Sequence, residues 1–205
     1  MKLSILICSI PKRYVFLTNL ISCFQKQLGE PVKTEYIKDM PCELHRLNYG
    51  EVELLIAIDD EKLSIGNKRN LLLNNSFGEY IAFFDDDDEP TPIYISEVMN
   101  GINQGVDACS LHGELTTNGI NPQIFLHSKE YKGWYEKNKI LYRFCNHLNC
   151  IKKQIALQVK FPEISHGEDK DYSTRLQLSG LVKTEYKVKD TIYLYKYISG
   201  KPHKK

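Results

Sequence analysis

The sequence predicts an α/β protein that forms one domain around a mainly parallel sheet. Three apolar segments, Leu3–Ile10, Val52–Ile58 and Tyr80–Phe84, are continuous enough to be strands buried on both faces. Segments with helical spacing separate them, and polar side chains follow each strand. Because alternating strands and helices favour parallel crossovers, we expect a central parallel sheet flanked by helices. The length of 205 residues fits a single domain.

The apolar strands are separated and followed by predicted helices. Tyr14–Leu28 has apolar residues at helical spacing and is followed by Gly29, a typical helix end. Ser64–Asn75 contains three consecutive leucines within a second helical segment. Thr91 and the proline after it form a favourable N-cap and first-turn pair for a third helix over Pro92–Asn100.

The second half of the chain is less regular, and its pattern predicts a smaller, partly antiparallel region. No repeat, low-complexity stretch or linker divides the sequence, so residues 1–100 and 101–205 are expected to be two halves of one domain. The predicted elements after residue 100 are strands at Val106–Leu115, Pro122–His127 and Thr191–Ile198, and helices at Cys150–Leu157 and Glu168–Ser179.

The composition is that of an ordinary globular protein, with 42% apolar and 26% charged residues. The net charge of +1 provides no basic field, so nothing indicates nucleic acid as a partner. The first apolar segment has eight residues, too few to cross a bilayer or to serve as a secretory signal. We therefore expect a soluble, cytoplasmic protein without a membrane span, and reduced cysteines.

Four consecutive aspartates, Asp85, Asp86, Asp87 and Asp88, follow the third apolar strand directly. Adjacent carboxylates repel one another and resist joint burial unless a cation or solvent relieves them. Mg²⁺ or Mn²⁺ prefers such oxygen ligands and keeps open positions for substrate phosphates. Alternate residues of an extended chain share a side, so two pairs face opposite ways. The alternative is a solvated acidic turn before a helix.

Two further charged clusters are candidates for chemistry. Glu168 and Asp169 follow a glycine at the start of a predicted helix, where one carboxylate is a candidate general base. Lys68 and Arg69 lie just after the second apolar strand, where a cation can meet the phosphates of a nucleotide. Being adjacent on a helix, these two side chains point in different directions. The alternative in both cases is a solvated helix surface.

A zinc site is the competing interpretation for the cysteine and histidine residues. It would combine Cys145, His147 and Cys150 with Cys42 and His45 far upstream. These spacings match no common zinc finger, so buried thiols and a histidine facing the site are the preferred prediction.

Taken in order, four segments resemble an inverting glycosyltransferase of the GT-A fold, family 2-like. LSILICSIPKR is similar to the first strand and nucleotide-binding loop, and LLIAIDD to the strand that ends beside the nucleobase. SIGNKRNLLLNNSFGEYIAFFDDDD resembles the helix and strand leading to the DXD motif, and HGEDKDYSTRL the ED motif. The resemblance runs from Leu3 to about Leu178, and implies a nucleotide-binding first half and an acceptor-binding second half.

The resemblance implies a role for each matched residue. Asp85-Asp86-Asp87 would be the DXD motif, in a register that four aspartates leave open by one position. Asp87 would be the main ligand of Mn²⁺ or Mg²⁺, with Asp85 and Asp86 near the metal and the ribose. Asp169 would deprotonate the acceptor hydroxyl, with Glu168 as the alternative. The other implied nucleotide-sugar contacts are Asp59 at the base, Ser9, Ile10 and Arg13 around it, and Lys68 or Arg69 beside the nucleotide.

The acceptor side is less defined. The Gln-x-x-Arg-Trp motif of processive synthases is absent, because Trp134 is not preceded by arginine, so transfer of a single sugar is expected. Trp134, His147 and Asp88 are the candidates for contacts with the acceptor or the sugar. His203 is the candidate third metal ligand.

The predicted function is metal-dependent transfer of one sugar from a nucleotide-diphosphate sugar to a hydroxyl of a glycan or other acceptor. A UDP-sugar is the expected donor, because UDP is common in the resembling family, and inversion is implied by that family alone. The residues themselves leave a retaining outcome open. The alternatives are a metal-dependent nucleotidyltransferase and a non-catalytic module that binds a metal or glycan.

Overall fold

A computed structural model describes residues 1–198 of the chain, so the predicted ligand His203 lies outside the described residues. Within this range the chain forms an eight-stranded sheet, a six-stranded sheet and five α-helices, none of them long and apolar enough to cross a membrane. The helices are α1 Tyr14–Leu28, α2 Ile65–Asn75, α3 Tyr94–Asn103, α4 Lys153–Val159 and α5 Glu168–Ser179, and Pro11–Arg13 is a 3₁₀ turn. The strands are β1 Leu3–Ser9, β2 Lys33–Ile37, β3 Glu43–Asn48, β4 Val52–Ile58, β5 Tyr80–Asp85, β6 Glu89–Pro90, β7 Ala108–Cys109, β8 Leu111–Thr117, β9 Ile120–His127, β10 Tyr135–Lys137, β11 Ile140–Arg143, β12 Ile151–Lys152, β13 Glu185–Tyr186 and β14 Tyr193–Tyr197.

The centre of the eight-stranded sheet is parallel, which confirms the prediction. The strand order is β13-β7-β12-β5-β1-β4-β3-β2, with β1 between β4 and β5. Leu3 lies beside Val52 on one side and beside Tyr80 on the other, so the three strands begin nearly level. Nearly all of their side chains are buried, which explains why each segment is continuously apolar.

One edge of this sheet carries a hairpin that the sequence pattern does not predict. Strands β2 and β3 pair antiparallel with each other, and β3 pairs antiparallel with β4. Their side chains are mostly polar and partly exposed, so the apolar periodicity of a buried strand is missing. Arg46 of β3 anchors the hairpin instead, through a 2.7 Å ion pair with the fully buried Glu53.

Two predicted helices begin later than expected. Ile151 and Lys152 form strand β12 before α4, because Ile151 lies beside both β5 and β7 and fills the sheet between them. Thr91 does not cap α3: its hydroxyl donates to the carbonyl of Thr191 at 3.0 Å, and the N-cap is Ile93. By contrast, Ser64, the first residue of the predicted helix Ser64–Asn75, is the N-cap of α2, since its Oγ accepts from the amide of the third helical residue.

The six-stranded sheet is built mostly from the second half of the chain, in the order β10-β11-β9-β8-β14-β6. The predicted strand Val106–Leu115 is divided, because Ser110 interrupts it and the chain passes from the main sheet at β7 to the second sheet at β8. Strands β8 and β9 pair antiparallel, whereas β14 pairs parallel with β8. This confirms the prediction of a smaller, partly antiparallel region.

Asp107 fastens the last part of the chain to the main sheet. Its carboxylate accepts from the backbone amides of Lys183 and Thr184 at 2.9 Å each, and pairs with Lys152 at 2.9 Å. Burial raises the pKa of Asp107, but these hydrogen bonds outweigh burial and lower that pKa to about 2.

We expect Asp107→Asn to lower the free energy of unfolding by about 2 kcal/mol at pH 7, from a pKa difference between 3.8 and about 2. Because the folded-state pKa is the lower one, this contribution is complete above the unfolded-state pKa and is lost as the pH falls toward the folded-state pKa. Urea denaturation from pH 7 to pH 3 should therefore show a shrinking difference from the wild type. The exposed Asp190→Asn is the control, and an equal loss in both variants contradicts the assignment.

Candidate active site

Three polar positions meet at the edge where β1, β4 and β5 end, as expected for parallel strands. We call the four aspartates at positions 85–88 the acidic run. The hydroxyl of Ser9 donates to Asp86 Oδ2 at 2.6 Å, which joins the end of β1 to this run. Lys68 of α2 donates to Asp59 Oδ1 at 2.6 Å and to the carbonyl of Ser9 at 3.4 Å. The predicted nucleotide-binding residues of three separate segments are thus joined by direct contacts.

The four aspartates divide between two structural tasks. Asp88 turns away toward the second sheet, where it accepts from the hydroxyl of Tyr193 at 2.6 Å and from the amide of Lys196 at 3.0 Å. Burial raises the pKa of Asp88 to about 8. Asp85 and Asp87 keep 38% and 27% of their side-chain surface exposed. The contacts of Asp88 are therefore with β14, and its role at the acceptor stays a prediction.

Arg13 lies over the acidic run. Its guanidinium pairs with Asp86 at 3.0 Å and also with Asp87. Burial raises the pKa of Asp86 to about 6, although Ser9 and Arg13 both oppose the rise. Ile10 is half-buried and extended at the start of the 3₁₀ turn that carries Arg13. Arg13 thus touches two of the aspartates implied to hold the metal and the ribose.

Lys68 and Arg69 point in different directions, and both are buried. Lys68 pairs with Asp59, whose carboxylate also accepts from the amide of Leu63 at 2.7 Å. Burial alone would raise the pKa of Asp59. The hydrogen bonds from Lys68 and from the amide of Leu63 outweigh burial, so the pKa is lowered overall. The nucleobase candidate is therefore ionised and held in place by α2.

Arg69 connects the acidic run to the ED motif. Its guanidinium lies 3.4 Å from Asp85 and 3.3 Å from Glu168, and it packs near the rings of Phe83 and Phe161 at 5.8 and 5.3 Å. Motif matching assigned Arg69 only to the nucleotide. The pairing with Glu168 brings together residues 99 positions apart, which local sequence does not reveal.

The two carboxylates of the ED motif differ in environment. Glu168 is 5% exposed, and burial raises its pKa despite the charge of Arg69. Asp169 is only half-buried and accepts from the amide of Lys170 at 2.8 Å. Gly167 before them adopts a positive φ of 80°, which a glycine tolerates at no steric cost. One carboxylate therefore supports the site and the other is available to solvent.

An aromatic cluster lies on the hairpin formed by β10 and β11. The guanidinium of Arg143 lies 4.6 Å from the ring of Trp134, which is 42% exposed. Tyr135 stacks on Tyr142 at 5.0 Å in the same hairpin. Arg143 belongs to no motif, so the sequence analysis does not identify it.

His147 is buried, with its Nε2 at 3.8 Å from Asp85. Within residues 1–198 neither of its ring nitrogens has a hydrogen-bond partner.

The comparison with protein families agrees with this arrangement. The model described as glycosyl transferase family 2 matches residues 48–160, more than half of the chain. The chain belongs to glycosyl transferase family 2. This membership confirms the predicted resemblance to family 2.

Solved structures show that this family 2 member has a GT-A fold. It matches TarS of S. aureus with a TM-score of 0.64 and 14% identity, over 96% of this chain and 37% of TarS. TarS 1-349 in complex with UDP and in complex with UDP-GlcNAc matches with TM-scores of 0.63 and 15% identity, over 60% and 58% of those chains. The chain thus spans little more than a third of the longest of these relatives. No curated protein matches significantly.

The acidic run of this family 2 member has carboxylates that would fit a divalent cation. Within residues 1–198 no three Asp, Glu, His or Cys side chains converge as a preformed metal site. Asp85 and Asp87 nevertheless present two partly exposed carboxylates, and Mg²⁺ or Mn²⁺ is commonly bound by one or two carboxylates plus substrate phosphates. His147, whose buried ring nitrogens have no hydrogen-bond partner among the described residues and whose Nε2 lies 3.8 Å from Asp85, would add a nitrogen donor.

The zinc interpretation has no geometric support among the described residues. Cys145 contacts the carboxylate of Glu185 at 3.5 Å, and Cys150 lies buried in the core. His45 packs on Tyr36 at the far edge of the main sheet. Cys145 and Cys150 are buried free thiols, as predicted, whereas Cys42 is only partly buried.

Gly66 allows α2 to approach the segment that leads into the ED motif. A Cβ added there would lie 1.8 Å from the carbonyl oxygen of Pro162, and the amide of Gly66 donates to the carbonyl of Ile164 at 3.0 Å. Asn70, one turn later, exchanges hydrogen bonds with the backbone of Phe161 at 2.8 and 2.9 Å. The position of α5 therefore depends on this close contact.

We expect Gly66→Ala to lower the free energy of unfolding by about 1–3 kcal/mol, the range for overpacking. Sugar transfer should fall about tenfold or more, because a small displacement of a reacting group is costly. Gly133→Ala is the matched control, since a Cβ there meets nothing within 4 Å. Thermal denaturation and turnover in both variants test the idea, and normal activity of Gly66→Ala contradicts it.

Proposed function

We propose that this glycosyltransferase moves one sugar from a nucleotide-diphosphate sugar to an acceptor hydroxyl, with a divalent cation and with inversion at the anomeric carbon. The observation that carries the proposal is the continuous set of contacts from Asp59 through Ser9 and the acidic run to Arg69 and Glu168. These contacts join the donor-binding candidates to the helix that presents Asp169.

The donor side has the groups that a nucleotide needs. Asp59 is ionised and positioned by Lys68, so that it can accept hydrogen bonds from a nucleobase. Asp86 is buried beside Ser9, where a carboxylate suits the hydroxyls of a ribose. UDP is the first candidate carrier, because structures of TarS with UDP and with UDP-GlcNAc share the fold, although at 15% identity.

Asp85 and Asp87 would hold Mn²⁺ or Mg²⁺, with His147 as a candidate further ligand. When bound, such a cation stabilises the negative charge that develops on a departing diphosphate. Arg13 and Arg69 already neutralise part of the acidic run from the protein side. A diphosphate can therefore approach this edge without meeting four uncompensated carboxylates.

Asp169 is the proposed general base. It takes the proton from the acceptor hydroxyl as that oxygen forms a bond to the anomeric carbon, and the bond from that carbon to the diphosphate oxygen breaks. The nucleoside diphosphate leaves with the bonding electron pair. A single displacement places the new bond on the face opposite the old one, which gives inversion.

A thermal-shift panel tests the donor and the cation. UDP, GDP and dTDP are added with Mn²⁺, with Mg²⁺ and with neither. A ligand at 100 times its dissociation constant stabilises the folded form by about 2.7 kcal/mol, or roughly 5–10 °C for a chain of this size. Stabilisation by one nucleotide that depends on Mn²⁺ or Mg²⁺ supports the proposal. No stabilisation by any nucleotide would overturn it.

A further inference from the structure

We infer that the acceptor carries an anionic group, a phosphate or a carboxylate, which binds between Arg143 and Trp134 beside its reacting hydroxyl. The inference rests on the proposed function and names the chemical class of the acceptor for the same site. It arises from an arginine that the donor side and the general base leave unused.

Arg143 differs from every other arginine of the chain. The chain has five arginines, and Arg13, Arg46, Arg69 and Arg175 each pair with a carboxylate. Among residues 1–198, the guanidinium of Arg143 has neither an ion pair nor a hydrogen bond, although the residue is half-buried. A partly desolvated cation without a counter-ion costs stability, so such a site favours an anion.

The geometry around Arg143 suits a phosphate or a carboxylate. The side chain leaves the end of β11 and lies over Trp134, which restricts the guanidinium plane. Phe144 packs 6.2 Å from the same indole and supports it. An arginine held in this way offers two parallel N–H donors, which match the two oxygens of a carboxylate or phosphate.

The position of Arg143 assigns the site to the acceptor. Burial lowers the pKa of Arg143, whereas the charges of Tyr195 on β14 and of Asp169, the proposed base, act to raise it. The cations nearest the acidic run, Arg13 and Arg69, come from the main-sheet half and are already paired. An anion on Arg143 would therefore hold a neighbouring hydroxyl toward Asp169.

The charge of the surrounding hairpin is complementary to an anion. Residues 129–143 contain five basic and two acidic side chains, a net charge of +3, whereas the whole chain carries +1. One of the two acidic residues, Glu130, is already paired with Lys187 at 2.9 Å. The excess positive charge is therefore concentrated around the unpaired arginine.

Trp134 is the only tryptophan, so its fluorescence reports directly on this site. The probes are methyl glucoside, methyl glucuronide and methyl glucoside 6-phosphate, titrated at constant ionic strength without donor. We expect a saturable change with one or both anionic probes, at least tenfold tighter than with the neutral one. The two anionic arms decide between carboxylate and phosphate. Equal binding of all three probes, or no saturable change, would overturn the inference.

Two variants separate a specific site from a general field. Arg143→Gln should weaken binding of the anionic probe about tenfold or more, whereas Lys137→Gln removes one charge from the same hairpin and should change it less than threefold. Arg143→Lys should recover part of the loss. Equal effects of Arg143→Gln and Lys137→Gln would show a diffuse field and contradict the inference.

A donor measurement keeps this test apart from that of the proposed function. The shift in melting temperature with UDP and Mn²⁺ should be the same in Arg143→Gln and in the wild type. If Arg143→Gln weakens UDP binding, Arg143 belongs to the donor site and the inference is wrong. If the wild type binds the anionic probe but no nucleotide, the proposed function fails while the anion site stands.

Discussion

Asp169→Asn is expected to lower sugar transfer about a thousandfold and to leave nucleotide binding within about twofold of the wild type. General bases contribute roughly 10²–10⁴-fold to rate, and an amide cannot accept the proton of the acceptor hydroxyl at neutral pH. The proposed donor contacts lie on other segments, at Asp59, Ser9 and the acidic run. The turnover number should therefore collapse while the thermal shift with UDP persists.

The structure favours Asp169 over Glu168 as the base on physical grounds. Glu168 faces inward and is paired with Arg69, so it is engaged in holding α5 against α2 and the acidic run. Asp169 lies one position further on the helix, is half-exposed, and is one of the charges that act to raise the pKa of Arg143. Of the two carboxylates, Asp169 is therefore the more accessible to an acceptor hydroxyl.

Glu168→Gln is the matched comparison for this prediction. The amide keeps the shape of the side chain, so a thousandfold loss is not expected, but the ion pair with buried Arg69 is weakened. We expect a lower melting temperature and a moderate loss of activity. A variant pair in which Glu168→Gln loses transfer and Asp169→Asn keeps it would reverse the assignment.

The sequence predicts the parallel core well, because burial leaves a strong signal there. Strands β1, β4 and β5 are covered on both faces, so nearly every residue in them is apolar. The hairpin β2–β3 has no such signal, since an edge hairpin with polar faces resembles a loop. The two-residue strand β12 escapes prediction for a different reason, because its place depends on β5 and β7 rather than on its own residues.

The candidate site divides in the same way. Ser9, Asp59 and the acidic run could be located from the sequence, because each ends a predicted strand and parallel strands end at one edge. The fate of each aspartate could not, since four identical residues carry no local distinction. Asp88 is oriented away from the other three aspartates by a hydrogen bond from the hydroxyl of Tyr193, which lies 105 positions away in the sequence. Arg143 could not be identified from the sequence, because its importance depends on the lack of a carboxylate partner among residues 1–198, which only the structure shows.

Asp87→Asn is the second substitution with a large expected effect. The variant removes one of the two partly exposed carboxylates proposed to bind the cation. We expect the Mn²⁺-dependent part of the thermal shift with UDP to disappear. Transfer should fall about 10²–10³-fold, the usual cost of losing a group that stabilises charge in the transition state.

Asp88→Asn is the control that makes this prediction sharp, because it changes the next aspartate of the same run. Burial raises the pKa of Asp88 to about 8, so a neutral amide is a close substitute at pH 7. The side-chain NH₂ of the new asparagine can donate to the hydroxyl oxygen of Tyr193. Its side-chain oxygen can accept from the backbone amide of Lys196. Asp88→Asn should therefore retain the Mn²⁺-dependent shift. If Asp88→Asn loses the shift and Asp87→Asn keeps it, the cation is held one register further along, and the division of the four aspartates proposed above is wrong.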